Sequence, residues 1–161
     1  MDEFSITQYG KPLKKSLYTI DKKTKVFSSR VSDLVLDFAT LPGWTFATGA
    51  QCTFKTGDHC TFKAGDGCIF KTEGWCTFYT EAFCIFDTED NCTFKTEDSC
   101  TFHVGLTCTF DTSEWCTFSL CKVDTCKFKS YDDNSIILDR KDKKHYLLTK
   151  EFVQLQKVKN G

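Results

Sequence analysis

Residues 52–118 decide the fold of this 161-residue chain, because they repeat one octapeptide with little variation. The units read CTFKTGDH (52–59), CTFKAGDG (60–67), CIFKTEGW (68–75), CTFYTEAF (76–83), CIFDTEDN (84–91), CTFKTEDS (92–99), CTFHVGLT (100–107), CTFDTSEW (108–115) and CTF (116–118). Weaker units begin upstream at Leu36 and Trp44, and another begins at Cys126 after a two-residue insertion. The repeat therefore comprises 12 units between residue 36 and about residue 130.

The order of residue types within a unit predicts one short strand and one tight corner. Cys, Phe and Thr hold the first, third and fifth positions, so alternation along a strand turns all three to the same face. Gly, Asp and Asn recur at positions six to eight, where tight corners need them. Two octapeptide units then close one coil. The predicted fold is all-β, a two-sided β-solenoid of eight-residue half-coils, with about six coils in a rod of roughly 30 Å.

A 16-residue coil makes residues 16 apart neighbours on one face. Ile69 and Ile85 are 16 apart, and they are the only residues other than Thr at the second position between 45 and 117. Lys71 and Asp87 are also 16 apart and of opposite charge, whereas Lys55 and Lys71 pair like charges. On balance this spacing favours a coil of two units over a coil of three.

The same repeat holds 10 of the 11 Cys and 12 of the 16 Phe. We interpret them as a core in which a small Cys on one strand lies opposite a large Phe on the facing strand. The predicted core ladder includes Cys52, Cys60, Cys68, Cys76, Cys84, Phe54, Phe62, Phe70, Phe78 and Phe86. A Cys period of eight matches no zinc pattern, and burial disfavours a nucleophilic thiolate. Cys116, Cys121 and Cys126, at intervals of five, are the one alternative metal set.

Other features of the sequence argue against catalysis and membrane insertion. His59, His103 and His145 are scattered, and no phosphate loop, HExxH or GxSxG motif occurs. We expect no enzyme activity, no cofactor and no metal. No apolar run is long enough to span a bilayer, and the first residues lack an apolar signal core. The odd number of Cys indicates free thiols in a reducing, cytoplasmic compartment.

The segments on either side of the repeat are predicted to cap the open ends of the rod. We assign residues 1–35 to an N-terminal cap with a β-hairpin over 16–29, and residues 36–130 to the solenoid. We assign residues 131–161 to the C-terminal cap, with a hairpin over 134–148 and a short helix for which Thr149 is the N-cap and Phe152, Leu155 and Val158 are the apolar stripe. Net charge is +3 over 1–35, −7 over 36–123 and +3 over 124–161. Nucleic acid is not an expected partner, because an acidic rod separates the basic ends.

The corners carry the most distinctive surface. Alternate corners lie on opposite edges of the rod, and each edge combines acidic and aromatic residues. One edge holds the candidate partner-binding residues Phe83, Trp115, Glu81, Glu97, Asp98 and Glu114, together with Asp66. The second edge holds Trp75, Glu73, Glu89 and Asp90, together with Asp58. The corners are either simply solubilising or, since aromatic residues anchor interfaces, a protein-binding edge.

These C-T/I-F-x-T units resemble the octapeptide-repeat proteins of phage and bacterial origin, and they are similar in style to pentapeptide-repeat β-helices. The resemblance covers the repeat region, from residue 36 to about residue 130. It implies a non-catalytic, phage-encoded protein that binds and inhibits a host defence protein in the bacterial cytoplasm, as a monomer or dimer.

Three alternatives stay open beside that reading. Octapeptide repeats also occur in trimeric β-helical phage spikes, although three Phe at one level would crowd a trimer axis. Some pentapeptide-repeat proteins are acidic rods that mimic DNA, but DNA carries far more charge over the same length than this chain does. Ice binding uses two Thr columns on a flat face, and here the fourth position lacks Thr.

Overall fold

The computed structural model describes residues 4–39, 41–129, 132 and 134–149, and the backbone of 154–155. Its strands are β1 (Ser5–Gln8), β2 (Lys11–Pro12), β3 (Thr19–Asp21), β4 (Val26–Ser28), β5 (Leu34–Phe38), β6 (Thr45–Ala47), β7 (Thr53–Thr56), β8 (Thr61–Ala64), β9 (Ile69–Thr72), β10 (Thr77–Thr80), β11 (Ile85–Thr88), β12 (Thr93–Lys95), β13 (Thr101–Val104), β14 (Thr109–Asp111), β15 (Thr117–Leu120), β16 (Lys127–Phe128), β17 (Ile136–Asp139), β18 (Lys144–Leu147) and β19 (Gln154–Leu155). Two 3-10 turns lie at Lys15–Leu17 and Val123–Thr125. The described residues contain no α-helix.

The strands form the two-sided β-solenoid that the repeat predicts, with two octapeptide units in each regular turn. The long sheet has eleven strands in the order β19-β18-β17-β15-β13-β11-β9-β7-β5-β1-β2. The short sheet has eight, in the order β16-β14-β12-β10-β8-β6-β4-β3. Predicted neighbours are confirmed: Ile69 pairs with Ile85 and Lys71 with Asp87, and the like-charged Lys55 and Lys71 are also adjacent.

The rod has seven turns, one more than the repeat count suggests. Seven parallel strands stack in each sheet, from β5 to β17 and from β4 to β16. The extra turn arises because the flanking hairpins share a strand with the rod. Strand β4 pairs antiparallel with β3 and parallel with β6, and β17 pairs antiparallel with β18 and parallel with β15. At about 4.8 Å per rung, the parallel stack is about 29 Å long.

The predicted register of the first unit is wrong by two residues. Leu36, expected in the Cys position, pairs with Phe54 and so occupies the Phe position. Phe38 pairs with Thr56 and stacks on Phe4, with ring centroids 4.7 Å apart. A slip of two residues keeps the same side chains inward, so alternation alone could not detect it. The two additional residues of this unit come between the end of β5 at Phe38 and the start of β6 at Thr45.

The core pairs Phe with Phe, which corrects the expected pairing of Cys with Phe. Phe70 stacks on Phe86 one turn away, with ring centroids 5.0 Å apart and planes 4° apart. Phe78, on the facing sheet, meets Phe86 edge-on at 5.1 Å and 74°. Phe is the middle of the three inward positions in each unit. Successive strands run in opposite directions on facing sheets, so the middle residue of one strand lies opposite the middle residue of the next. The repeat Phe rings from 46 to 118 are fully buried and form two interleaved ladders.

The Cys side chains lie at the corners, where their thiols bind backbone carbonyls. The thiol of Cys84 donates to the carbonyl oxygens of Ala82 at 3.5 Å and Gly65 at 3.6 Å. Every regular repeat Cys from 52 to 116 makes contacts of this kind. A thiol is small enough for the corner and can donate a weak additional hydrogen bond to the backbone carbonyls there.

The predicted C-terminal helix is not present at the residues the structure describes there. Gln154–Leu155 form β19 instead, which pairs antiparallel with β18. A sheet edge offers unpaired backbone donors and acceptors, and a following strand satisfies them directly. The other two residues of the predicted apolar stripe, Phe152 and Val158, lie outside the described residues.

Replacing Phe86 by Ala should lower the free energy of unfolding by about 3–5 kcal/mol, because it opens a cavity in both ladders. Urea unfolding followed by circular dichroism measures this loss. Phe83→Ala is the matched control, since Phe83 is 67% exposed and should change stability by less than about 0.5 kcal/mol. Equal losses in the two variants would contradict the assignment of the core.

Candidate protein-binding edges

The corners build two edges that run the length of the rod, as the repeat predicts. The Phe83 edge consists of corners 49–51, 65–67, 81–83, 97–99 and 113–115, which lead from the short sheet to the long sheet. The Trp75 edge consists of corners 57–59, 73–75, 89–91 and 105–107, which lead from the long sheet to the short sheet. Each proposed acidic and aromatic residue lies on the edge to which the sequence assigned it.

The last residue of each regular corner is in the left-handed conformation. Its φ lies between 55° and 63° at all nine corners from Gln51 to Trp115. In this conformation its backbone amide donates a hydrogen bond to the next corner. Trp75 N–H donates to the Asp90 carbonyl at 2.9 Å, and Phe83 N–H donates to the Asp98 carbonyl at 3.2 Å. The corners are therefore held to each other by backbone hydrogen bonds, which fixes their spacing.

Three of these left-handed positions hold large aromatic residues. Trp75, Phe83 and Trp115 are 59%, 67% and 63% exposed. Left-handed backbone costs an L-residue about 1–2 kcal/mol, and Gly or Asn bears it best. Gly67 and Asn91 show that this chain does use both of those residues at the same position. A large aromatic residue at such a site is therefore unfavourable in two ways: it has to adopt left-handed backbone, and its apolar ring is exposed to water.

Phe83 and Trp115 form one aromatic pair, with a gap between them. They are two turns apart on the Phe83 edge, or about 10 Å along the rod. The residue at the intervening corner is Ser99, whose side chain is much smaller. Glu81, Glu97, Asp98 and Glu114 are exposed beside the pair, and the Asn134 amide donates to Glu114 Oε2 at 3.0 Å.

The lysines of the repeat lie on the faces of the rod, and the regular corners contain no Lys or Arg. Every charged residue in the five corners of the Phe83 edge is acidic: Asp66, Glu81, Glu97, Asp98 and Glu114. The repeat lysines, Lys55, Lys63, Lys71 and Lys95, lie at fourth positions on the sheet faces. The carboxylate of Asp66, with a smaller contribution from Glu97, raises the pKa of Glu81. The Phe83 edge is thus a strip of mutually repelling carboxylates around two aromatic rings.

The Trp75 edge is partly engaged in contacts of its own. The His59 ring stacks on Trp75, with centroids 5.9 Å apart and planes 7° apart, and His59 Nδ1 lies 2.9 Å from an Asp58 carboxylate oxygen. Asp90 Oδ1 accepts a hydrogen bond from Leu106 N–H at 2.7 Å and occupies the place a side chain at Gly105 would need. Glu73 and Glu89 are exposed on this edge. Asp90 therefore has a structural role at its corner.

Sequence reasoning found the edge residues but missed these roles. Asp66 repeats the Asp90 arrangement, since its Oδ1 accepts from Ala82 N–H at 3.2 Å. In both cases Asp at the seventh position caps the seventh position one turn later, and the spacing of 16 could have revealed it. The stacking of His59 on Trp75 could also have been predicted, because residues 59 and 75 are one turn of 16 residues apart.

The thiols of the regular repeat are buried. All 11 Cys are free, and only Cys121 and Cys126 are partly exposed. Burial raises the pKa of the Cys126 thiol. The hydrogen bond with Cys108 is the main cause that raises the pKa of Cys92 to about 11, with burial adding to it. Among the described residues, no three His, Cys, Asp or Glu are grouped to hold a metal ion. The part of the chain that the structure describes also has no helix long and apolar enough to cross a membrane.

Comparison of the chain with protein-family models, with curated proteins and with solved structures gives no match. The class of protein therefore rests on the fold itself: a seven-turn, two-sided β-solenoid with buried Cys and Phe at regular intervals.

Replacing Phe83 and Trp115 by Asn should leave the rod as stable as before or stabilise it by up to about 1 kcal/mol, because Asn tolerates the left-handed backbone. The converse change, Asn91→Phe, should cost about 1 kcal/mol. Thermal unfolding of the three proteins measures both effects. A clear loss of stability in the Asn double variant would mean that the two aromatics serve the fold.

Proposed function

We propose that this chain is a non-catalytic protein-binding solenoid that docks a partner through the Phe83 edge and inhibits it. The observation that carries the proposal is the presence of exposed Phe83 and Trp115 at left-handed corner positions. Backbone strain kept at a surface site suggests a use for that site, and aromatic residues dominate the binding energy of protein interfaces. The alternative hypothesis, that the corners only make the protein soluble, explains the acidic residues of the edge but not its two large aromatic rings.

The fold supports binding by presenting these rings rigidly. Neighbouring corners are joined by backbone hydrogen bonds, and the Cys thiols anchor each corner from inside. A surface that is already ordered loses little conformational entropy when it binds. We favour the Phe83 edge over the Trp75 edge because Trp75 already stacks on His59, whereas the residue at the corner between Phe83 and Trp115 is the small Ser99.

The identity of the partner is proposed from the resemblance of the repeats. Since they resemble phage octapeptide repeats, we propose a host defence protein in the bacterial cytoplasm as the partner. A trimeric spike is less favoured, because both sheets of every turn come from one chain and the Phe ladders fill the core between them. Light scattering separates these proposals, since a trimer would have three times the 18.4 kDa mass of the single chain.

A DNA-mimic role is favoured only by the acidic edges. They carry nine carboxylates between them: Asp58, Asp66, Glu73, Glu81, Glu89, Asp90, Glu97, Asp98 and Glu114. Duplex DNA would carry about 17 charges over the same length of about 29 Å. The aromatic pair also has no counterpart on a phosphate backbone, so a general protein-binding role fits the edge better.

Replacing Phe83 and Trp115 by Ala should weaken partner binding by about 100-fold or more, since two interface anchors are lost together. The immobilised chain is used to capture a protein from bacterial lysate, and affinity for the captured protein is then measured by calorimetry. Trp75→Ala, an aromatic truncation at the same unit position on the other edge, is the control and should bind as the unmodified chain does. Unchanged binding by the double variant, or loss in the control alone, would refute the assignment to the Phe83 edge.

A further inference from the structure

The charge of the Phe83 edge constrains what can bind there. Its five acids have no basic residue among them in the corners, and the nearest repeat lysines point outward from the sheet faces. Within the described residues, the ion pairs are Lys55–Asp37, His59–Asp58 and Lys122–Asp124, and none of them involves an acid of this edge. A partner that brings cations would relieve the repulsion between these carboxylates.

The spacing of the edge constrains the shape of the partner. Successive corners are one rung apart, about 4.8 Å, so Phe83 and Trp115 are about 9.6 Å apart along the rod. One turn of an α-helix rises about 5.4 Å, and two turns rise about 10.8 Å. In an extended strand, residues on one face recur about every 6.6–6.8 Å, and two such repeats span about 13 Å. Two turns of a helix lying parallel to the rod therefore nearly match the span of three corners, whereas two repeats of a strand exceed it.

The gap at Ser99 gives such a helix an apolar contact. The two flanking rings are more than half exposed, they lie two rungs apart, and the residue at the corner between them is the small Ser99. One apolar side chain of a helix could lie between the rings, at the level of Glu97 and Asp98, while side chains one turn before and after it would lie level with Glu81 and Glu114. Helices bound in this way present their contacts at intervals of three and four residues.

We infer that the Phe83 edge receives a basic amphipathic α-helix of its protein partner, aligned with the rod, with one apolar side chain between Phe83 and Trp115. Lys or Arg side chains one turn apart pair with the carboxylates of successive corners. This inference rests on the proposed function and adds to it the chemistry and the secondary structure of the segment that binds.

The test uses synthetic peptides of about 18 residues, a length at which a helix can form. In the helical peptide, Arg and Leu recur every three to four residues on one face; in the control peptide, the same residues alternate as in a strand. Fluorescence anisotropy of each labelled peptide is titrated with the full chain. The helical peptide should bind at least about tenfold more tightly, and its affinity should fall as salt is raised from about 50 to 200 mM. Equal or tighter binding of the alternating peptide would overturn the inference.

Matched variants locate the binding on one edge. Glu81→Gln, Glu97→Gln and Asp98→Asn together should weaken binding of the helical peptide by about tenfold. The control, Glu73→Gln with Glu89→Gln on the Trp75 edge, should change it by less than about twofold. If the control weakens binding as much as the triple variant does, the inference is wrong.

The two levels of proposal fail in different ways. If Phe83→Ala with Trp115→Ala abolishes affinity for the captured protein while the triple variant has no effect on the helical peptide, the basic-helix inference fails and the proposed function stands. If the double Ala variant keeps its affinity for the captured protein, the proposed function fails first, and the inference fails with it.

Discussion

The packing of Phe rings between the two sheets is the interaction on which the rest of the structure depends. Each ring stacks on the ring one turn away and meets the rings of the facing sheet edge-on, as in the set of Phe70, Phe78 and Phe86. Such a pattern needs a Phe at the middle of every strand and the same number of residues between successive Phe. The eight-residue period follows, and with it the length of the strands, the width of the corners and the alternation of the two edges.

The core in turn determines which surface positions can vary in residue type. Corner residues are tied to their neighbours by backbone hydrogen bonds that require left-handed backbone at the eighth position. Gly or Asn would suit that position best, so the choice of Trp75, Phe83 or Trp115 is made against the preference of the backbone. A rod of this kind holds its functional side chains at regular intervals of one rung, and this regularity is what lets the spacing of the edge be compared with that of a partner helix.

Periodicity made most of the fold predictable, and each feature that was missed has its own physical cause. The two-unit coil, the two edges and both hairpins follow from spacing and alternation. The two-residue slip at Leu36 does not, because it preserves which side chains face inward. Facing strands that run in opposite directions were expected, but the prediction placed Cys opposite Phe, whereas the middle inward position of one strand faces the middle position of the other and so pairs Phe with Phe. The helix after Thr149 was inferred from an N-cap residue and an apolar stripe, and neither shows whether a neighbouring sheet edge is open to Gln154–Leu155. At the edges, the residue types suggested binding. The structural roles of Asp66 and Asp90 could be recognised only by comparing each residue with the one 16 positions later.

Deleting one whole turn tests the central claim most directly. Removal of residues 69–84 joins Cys68 to Ile85 and leaves the sequence CIF intact, so every later residue keeps its sheet and its place in the ladder. This shorter rod should still unfold in one cooperative urea transition, with a smaller m-value because it buries less surface. Removal of residues 69–80 takes out one and a half octapeptide units and disrupts the order of strand and corner, so that variant should lose the cooperative transition. Equal tolerance of the two deletions would contradict a core built on a turn of two octapeptide units.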